Sequence, residues 1–230
     1  MKMGSPALCQ TVPQARSWVD PARGYLLFSC LIFLACLFGG ATRADPVHGG
    51  IDMGQEEKRV SQWRKERDQL FKTHQRSPLS DKAKRAFTGL AYHPFDPDYV
   101  FEGHIERFVF RIDDPRYYAT FLTNRGVNKR YVRYGKFHFE FEGKEYALEV
   151  YKSILSDTLF IPFKDKTNGK ETYEAGRYVD AEILPGYRMV LDFNMAYFPS
   201  CAYNSTFVCV LPPKENTLSA EIRAGERNPK

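Results

Sequence analysis

The chain has none of the short signatures that announce a familiar chemistry. It contains no glycine-rich phosphate loop, no G-x-S-x-G elbow and no H-E-x-x-H pair, which sets aside the phosphate-loop, serine-elbow and zincin readings. Cysteine is scarce: five residues, of which Cys9, Cys30 and Cys36 lie in the N-terminal segment, leaving Cys201 and Cys209. No internal repeat or low-complexity stretch occurs. Nor is there a large excess of one charge. The formal net charge is +5, and Lys2, Arg16, Arg23 and Arg43 against Asp20 supply three of it, leaving +2 for the rest. A balance so mild and so mixed argues against nucleic acid as a partner.

What is present begins with an apolar run, Tyr25 to Gly40. It falls short of the roughly 20 residues that a membrane-spanning helix needs. Arg16 and Arg23 precede it, and Thr42 and Ala44 fit the −3 and −1 positions of a cleavage site. Residues 1–44 therefore read as a secretion signal, with Asp45 first in the mature chain and a periplasmic or secreted destination. The alternative is a membrane anchor formed by residues 25–40. A lipoprotein reading through Cys36 is poor, because Phe33-Leu34-Ala35 is the wrong context and the apolar run continues past it. The stretch before the run is long for a signal, so Val19 is a second candidate for the start. An even pair of cysteines in an exported protein reads first as a Cys201–Cys209 disulfide. The alternatives for Cys201 are a free buried thiol, a nucleophile and a zinc ligand. No histidine lies in its block to serve as base, and the pair lacks two further zinc ligands.

Residues 45–51, with Pro46, Gly49 and Gly50, read as a linker, and 52–230 as one domain large enough for a real core. Asp52 followed by Gln55 resembles a capping box and opens a helix to about Thr73, with Val60, Trp63, Arg67, Leu70 and Phe71 on one face. Ser80 caps a second, short helix ending near Gly89. From Phe101 the period becomes alternating. Phe108–Ile112, Arg130–Tyr134, Phe137–Phe141 and Tyr146–Tyr151 read as strands, with turns at Gly126, Gly135 and Glu142-Gly143-Lys144. Leu159–Phe163, Arg177–Ile183, Arg188–Phe193 and Leu218–Ile222 add four more. The expected class is mainly β (α+β): an antiparallel β barrel or sandwich preceded by two N-terminal helices.

Polar groups crowd among apolar ones in LDFNMAYFPSCAYNSTFVCVLPPKENTL, Leu191 to Leu218. Such groups need partners when desolvated, so the block is a polar network or a site wall. Strand alternation puts Asp192 and Asn194 on one face. Arg177, entering a strand among aromatics, needs a carboxylate, and Asp192 is the first choice. Asp165, Thr167 and Gly169 hint at a calcium loop. The hint fails, because the glycine is one place early and position twelve is Gly176, so an Asx-type turn is the better reading. Tyr92, Tyr99, Tyr134, Tyr173, Tyr178, Tyr197 and Tyr203 read as core, or as the lining of a ligand cavity. Lys129, Arg130 and Arg133 read as a solvated strand face, or as a sign of an anionic ligand. Neither a metal nor an organic cofactor is called for.

Four segments carry a resemblance: SPLSDKAKRAFTGLAYHPFDPDY (Ser77–Tyr99), LFIPFKDKTNGKETYEAGRYVD (Leu159–Asp180), the block from Leu191 to Leu218, and AGER (Ala224–Arg227). Over about residues 76–227 the chain resembles the family known as domain of unknown function 1684. The resemblance gathers Asp165, Thr167, Gly169, Thr172, Tyr173, Gly176, Arg177, Tyr178, Asp192, Asn194, Tyr197, Cys201, Cys209, Pro212, Asn216 and Glu226 into one expected constellation. It implies no particular activity. The combined expectation is an exported domain that binds a small ligand through Arg177, Asp192, Asn194, Tyr197 and Tyr173, with the Asp165–Tyr173 loop at the mouth. The alternatives are a hydrolase-like enzyme using Asp192 or Cys201, and an envelope interaction protein whose first helix docks a partner.

Overall fold

A computed structural model describes residues 50–154 and 156–229. The expected secretion signal, or anchor, and the linker up to residue 49 lie outside the described residues. Helix α1 (Met53–Thr73) starts where the Asp52 carboxylate accepts the backbone N–H groups of Gly54 and Gln55, at 2.9 and 3.2 Å. That satisfies donors which the first helical turn leaves orphaned. Helix α2 (Asp81–Ala86) is capped by Ser80, whose hydroxyl accepts from Ala83 N–H. The expected apolar stripe on α1 is only partly used, since Val60 and Phe71 are buried but Leu70 is 44% exposed. Arginine supplies the rest of the docking. Arg64 donates to the carbonyls of His93 and Asn194, at 3.0 and 3.1 Å, and Arg67 to that of Phe198. The fork of a guanidinium can bridge two segments in this way, which a single ammonium does less well.

Among the described residues seven strands follow: β1 (Val100–Arg107), β2 (Tyr118–Leu122), β3 (Asn128–Phe141), β4 (Lys144–Lys152), β5 (Leu159–Phe163), β6 (Arg177–Ala181) and β7 (Arg188–Asp192). All pairs are antiparallel, in the order β6-β5-β4-β3-β1-β7, with β2 also on β3. The two ends of the sheet approach each other just beyond β7. There Tyr178 and Tyr197 exchange backbone hydrogen bonds of 3.0 and 2.9 Å. The result is a nearly closed barrel, and closure hides strand edges that would otherwise recruit other chains.

Three strand expectations need correction. Phe108–Ile112 alternates but forms no strand. β1 reaches Arg107 opposite Gly135, and β2 begins at Tyr118 opposite Val132, on the same edge of β3. Both segments, which the alternation did not mark as strands, use that edge, so 108–117 must arch away from the sheet. Val109 and Ile112 are accordingly 93% and 74% exposed. Gly135 is not a turn between two strands but a bulge inside the 14-residue β3, where the register shifts between Arg133 and Gly135. A Cβ there would stand 2.5 Å from the Glu106 carbonyl oxygen, so glycine lets β1 close onto the bulge. Leu218–Ile222 is irregular. Its backbone bonds to Lys164 and Lys166, and Leu218, Ala220 and Ile222 plug the interior. The turn at Glu142-Gly143 holds as expected, both residues having positive φ as a tight hairpin requires.

The barrel interior is packed by residues such as Phe137, Leu148, Ile161, Val179, Leu191 and Phe193. A second, smaller core lies outside the barrel, where Phe121, Tyr151, Tyr178 and Val210 pack with Tyr131, Phe160 and Tyr197 half-buried around them. Alternation along β6 explains the split: Arg177, Val179 and Ala181 point inward, Tyr178 and Asp180 outward. That outward pair positions the site described next.

Candidate functional site

The structure separates the expected constellation into distinct clusters. Arg177 does not pair with Asp192. Its partner is Asp165, with Nη2 donating to Oδ2 at 2.9 Å and both side chains wholly buried. The rest of the guanidinium donates to carbonyls of the C-terminal segment: Nη2 to Ile222 at 2.7 Å, Nη1 to Ala224 at 2.6 Å and to Glu226 at 3.2 Å. Asp165 Oδ1 accepts the backbone N–H and hydroxyl of Thr167, which is the expected Asx turn, and the N–H of Ile222. β6 points inward at Arg177, and the last segment crosses the barrel end over it. The pair is thus an internal clamp, out of reach of any ligand. Glu226, also buried, accepts from Phe198 N–H at 2.8 Å and from Arg67 at 3.2 Å, and burial pushes its carboxyl up to about 7.

Asp192 ends β7 and faces α1. Its Oδ1 accepts the backbone N–H and the side-chain amide of Asn194, at 2.8 and 2.9 Å. The Asn194 amide also exchanges two bonds of 2.9 Å with the Asp96 backbone, tying the 92–99 loop to the barrel. Asp192 Oδ2 is buried without a hydrogen-bond donor, and the Arg59 guanidinium stands 3.5 Å away. Glu56 lies beside it. Burial, then the neighbouring Glu56, pushes Asp192 up to about 7. Burial alone would raise Glu56 too. The hydrogen bond from Arg59, helped by Asp192, outweighs it and leaves Glu56 below its ordinary range. The two carboxyls therefore titrate as a pair, and of the two Asp192 is the one disposed to hold a shared proton. They line a cavity of about 350 Å³ with Arg59, Glu182 and Asp180.

Tyr197 belongs to a third cluster. Its hydroxyl donates to Asp180 Oδ2 at 2.8 Å. Asp180 stands on the outer face of β6, open to solvent yet crowded on most sides by protein. Burial raises its carboxyl, and the Tyr197 hydroxyl partly offsets this. Beside it lies a cleft of about 440 Å³, lined by Tyr131, Phe160, Tyr178, Tyr197 and Lys129 among others. Tyr131 stacks on Phe160 with centroids 5.0 Å apart, Phe160 meets Tyr178 edge-on at 4.8 Å, and Tyr178 meets Tyr197 edge-on at 5.7 Å. Asp180 and Thr158 line both this cleft and the Glu56–Asp192 cavity. The alternation of the Arg177–Ile183 strand could have singled out Asp180, since it placed that residue opposite Val179 on the aromatic face. Glu56 and Arg59 left no such signal, because exposed helix charges are ordinary.

Cys201 and Cys209 lie together, the backbone N–H of Cys201 donating to Sγ of Cys209 at 3.2 Å, and both are free thiols here. Burial, then Cys209, pushes the Cys201 thiol up to about 12; Tyr173 sits against it and is likewise raised to about 12. A thiol so reluctant to ionise is a poor nucleophile. Among the described residues, no group of three or more His, Cys, Asp and Glu side chains could hold a metal.

These features define a nearly closed antiparallel barrel, flanked by a long helix, with an aromatic and carboxylate cleft outside its closing seam. A family model described as protein of unknown function (DUF1684) matches residues 85–227, and the chain belongs to that family. The solution NMR structure of an uncharacterized protein of Haloarcula marismortui is similar, with 33% identity over 77% of this chain and 96% of that one, at a TM-score of 0.61. No curated protein matches the chain.

Proposed function

We propose that the chain is an exported protein that binds a small ligand in the cleft between Asp180, Tyr197 and the Tyr131–Phe160 stack. The observation that supports this best is Asp180 itself. It is a carboxylate set beside aromatic rings on the outer face of β6, and among the described residues it has Tyr197 as its only hydrogen-bond partner and no ion pair. An aromatic concavity with one convergent polar group suits a ligand. The reading keeps Tyr197 from the expected site and moves its centre from Arg177 to Asp180. Asp192 and Asn194 support the adjoining wall, and Asp165 with Arg177 holds the barrel end shut.

The test is mass spectrometry of the full protein purified from its own host, under native and then denaturing conditions. The expected result is extra native mass that is lost on denaturation, and lost from Asp180→Ala. A native mass equal to that of the chain, together with no shift in melting temperature across a small-molecule library, would refute the reading.

A further inference from the structure

We propose that the ligand of this cleft is a small organic cation, an ammonium group carrying apolar carbon. This rests on the reading of the cleft as a ligand site and adds the class of ligand. Three features of the geometry agree on it. The first is unspent charge. Asp180 Oδ2 takes the Tyr197 hydroxyl, and no other hydrogen bond or ion pair reaches the carboxylate among the described residues. The one basic side chain in the cleft lining, Lys129, is already engaged, its ammonium donating to the Val208 carbonyl at 2.9 Å. The second is the wall. The half-buried Tyr131 and Phe160 rings, stacked at 5.0 Å, offer π-electron density to a cation beside the carboxylate. The protein uses the same chemistry on the far side of this cluster, where the Arg67 guanidinium lies 4.6 Å from the Tyr197 ring centroid. The third is the field. The cavity that shares Asp180 adds Glu56 and Glu182 against Arg59, so with Lys129 counted three carboxylates face two cations.

An anion would enter against that field, and a neutral apolar molecule would leave the Asp180 charge further desolvated and unpaired. An ammonium removes that penalty while its carbon packs on the rings. A quaternary head would use mainly the rings. A primary amine could also donate to the second oxygen of Asp180.

The test is NMR titration of the full protein, followed at the amides of Tyr131, Phe160, Asp180 and Tyr197. The probes are tetramethylammonium, n-butylamine, neutral neopentyl alcohol and acetate. Both ammonium probes should shift these amides, and the alcohol and acetate should not. Whichever ammonium binds tighter tells whether the rings or the carboxylate dominate. Asp180→Asn should weaken the ammonium probes at least tenfold. Tyr131→Leu keeps apolar bulk but removes the ring, and should weaken them about fivefold. That second variant keeps the test decisive if Asp180→Asn fails to fold. Ammonium affinity should also fall with pH once Asp180 is protonated. If the alcohol or acetate binds at the same amides as well as the ammonium probes, the cation assignment is overturned while the ligand site stands. If no probe moves them and the host-purified protein carries no extra mass, both are overturned.

Discussion

Replacing Asp192 with Asn should flatten much of the dependence of stability on pH near neutrality. The Asp192 carboxyl is nearly inaccessible, and its ordinary value of 3.8 is pushed to about 7 by burial and by Glu56. Below about pH 4 it carries a proton in both folded and unfolded chains and costs nothing. Between about pH 4 and 7 the unfolded chain releases that proton and the folded one retains it, so stability falls as pH rises. Each unit of displacement is worth about 1.4 kcal/mol, which over roughly three units sets a ceiling of about 4 kcal/mol. Glu56 has the opposite sign. Its folded value is depressed below 4.5, so its contribution is present above that value and is lost only at more acid pH. The guanidinium groups facing the pair, Arg59 and Arg64 from α1, keep their charge through the window. Asn preserves the oxygen that accepts from Asn194, and its amide can donate to Glu56. By thermal unfolding from pH 4 to 8, the wild-type chain should lose melting temperature toward pH 7.5. Asp192→Asn should equal or exceed it there, with a ceiling of about 8–16 °C at roughly 2–4 °C per kcal/mol for a domain of this size. Glu226, also pushed to about 7, leaves a residual slope that Glu226→Gln should reduce. Parallel melting curves for wild type and Asp192→Asn would refute the shared-proton reading.

Arg177→Lys should unfold the protein or cost about 3–5 kcal/mol in urea denaturation, because one ammonium cannot serve Asp165 and the carbonyls of Ile222, Ala224 and Glu226 together. Retention of wild-type stability would show that the clamp is dispensable. Gly225→Ala should cost about 3 kcal/mol, since φ is +72° and the new Cβ would sit 2.5 Å from the Ala196 carbonyl oxygen. Gly143→Ala, at a similar φ but with open space around it, should cost only about 1 kcal/mol, and equal losses would refute the steric part of the argument. Mild oxidation should bridge Cys201 to Cys209, lower the mass by about 2 Da and add roughly 2–3 kcal/mol in the chain-entropy model. Oxidised products without that bridge would show that the two sulfurs do not meet.

The helices were legible because their determinants are local. Asp52 and Ser80 each cap a helix through hydrogen bonds that span two or three residues of sequence. The barrel class was legible for the same reason, since alternation is a local pattern. What alternation cannot show is which strand edge is free. Phe108–Ile112 has the pattern of a strand, but the edge of β3 beside it is taken by the residues just before and after it. The site shows the same limit. Arg177 needed a buried carboxylate, and Asp192 and Asp165 were equally available in the sequence. The choice between them depended on which way β6 and β7 face once the barrel closes. Inward, Arg177 meets Asp165 and the carbonyls of the last segment; outward, Asp192 meets a helix more than a hundred residues earlier in the chain. Asn216 makes the point within one side chain. It bonds to the backbone of Glu149 on β4 at 2.7 and 2.8 Å and to the Pro162 carbonyl on β5 at 2.9 Å. It fills the gap where those strands diverge after only two paired residues. A buried asparagine in a loop signals a need for partners, but only the closed barrel supplies their identity. Asp180 is the complementary case: its face could be read from the strand, and its lack of an ion pair among the described residues could be read only from the fold.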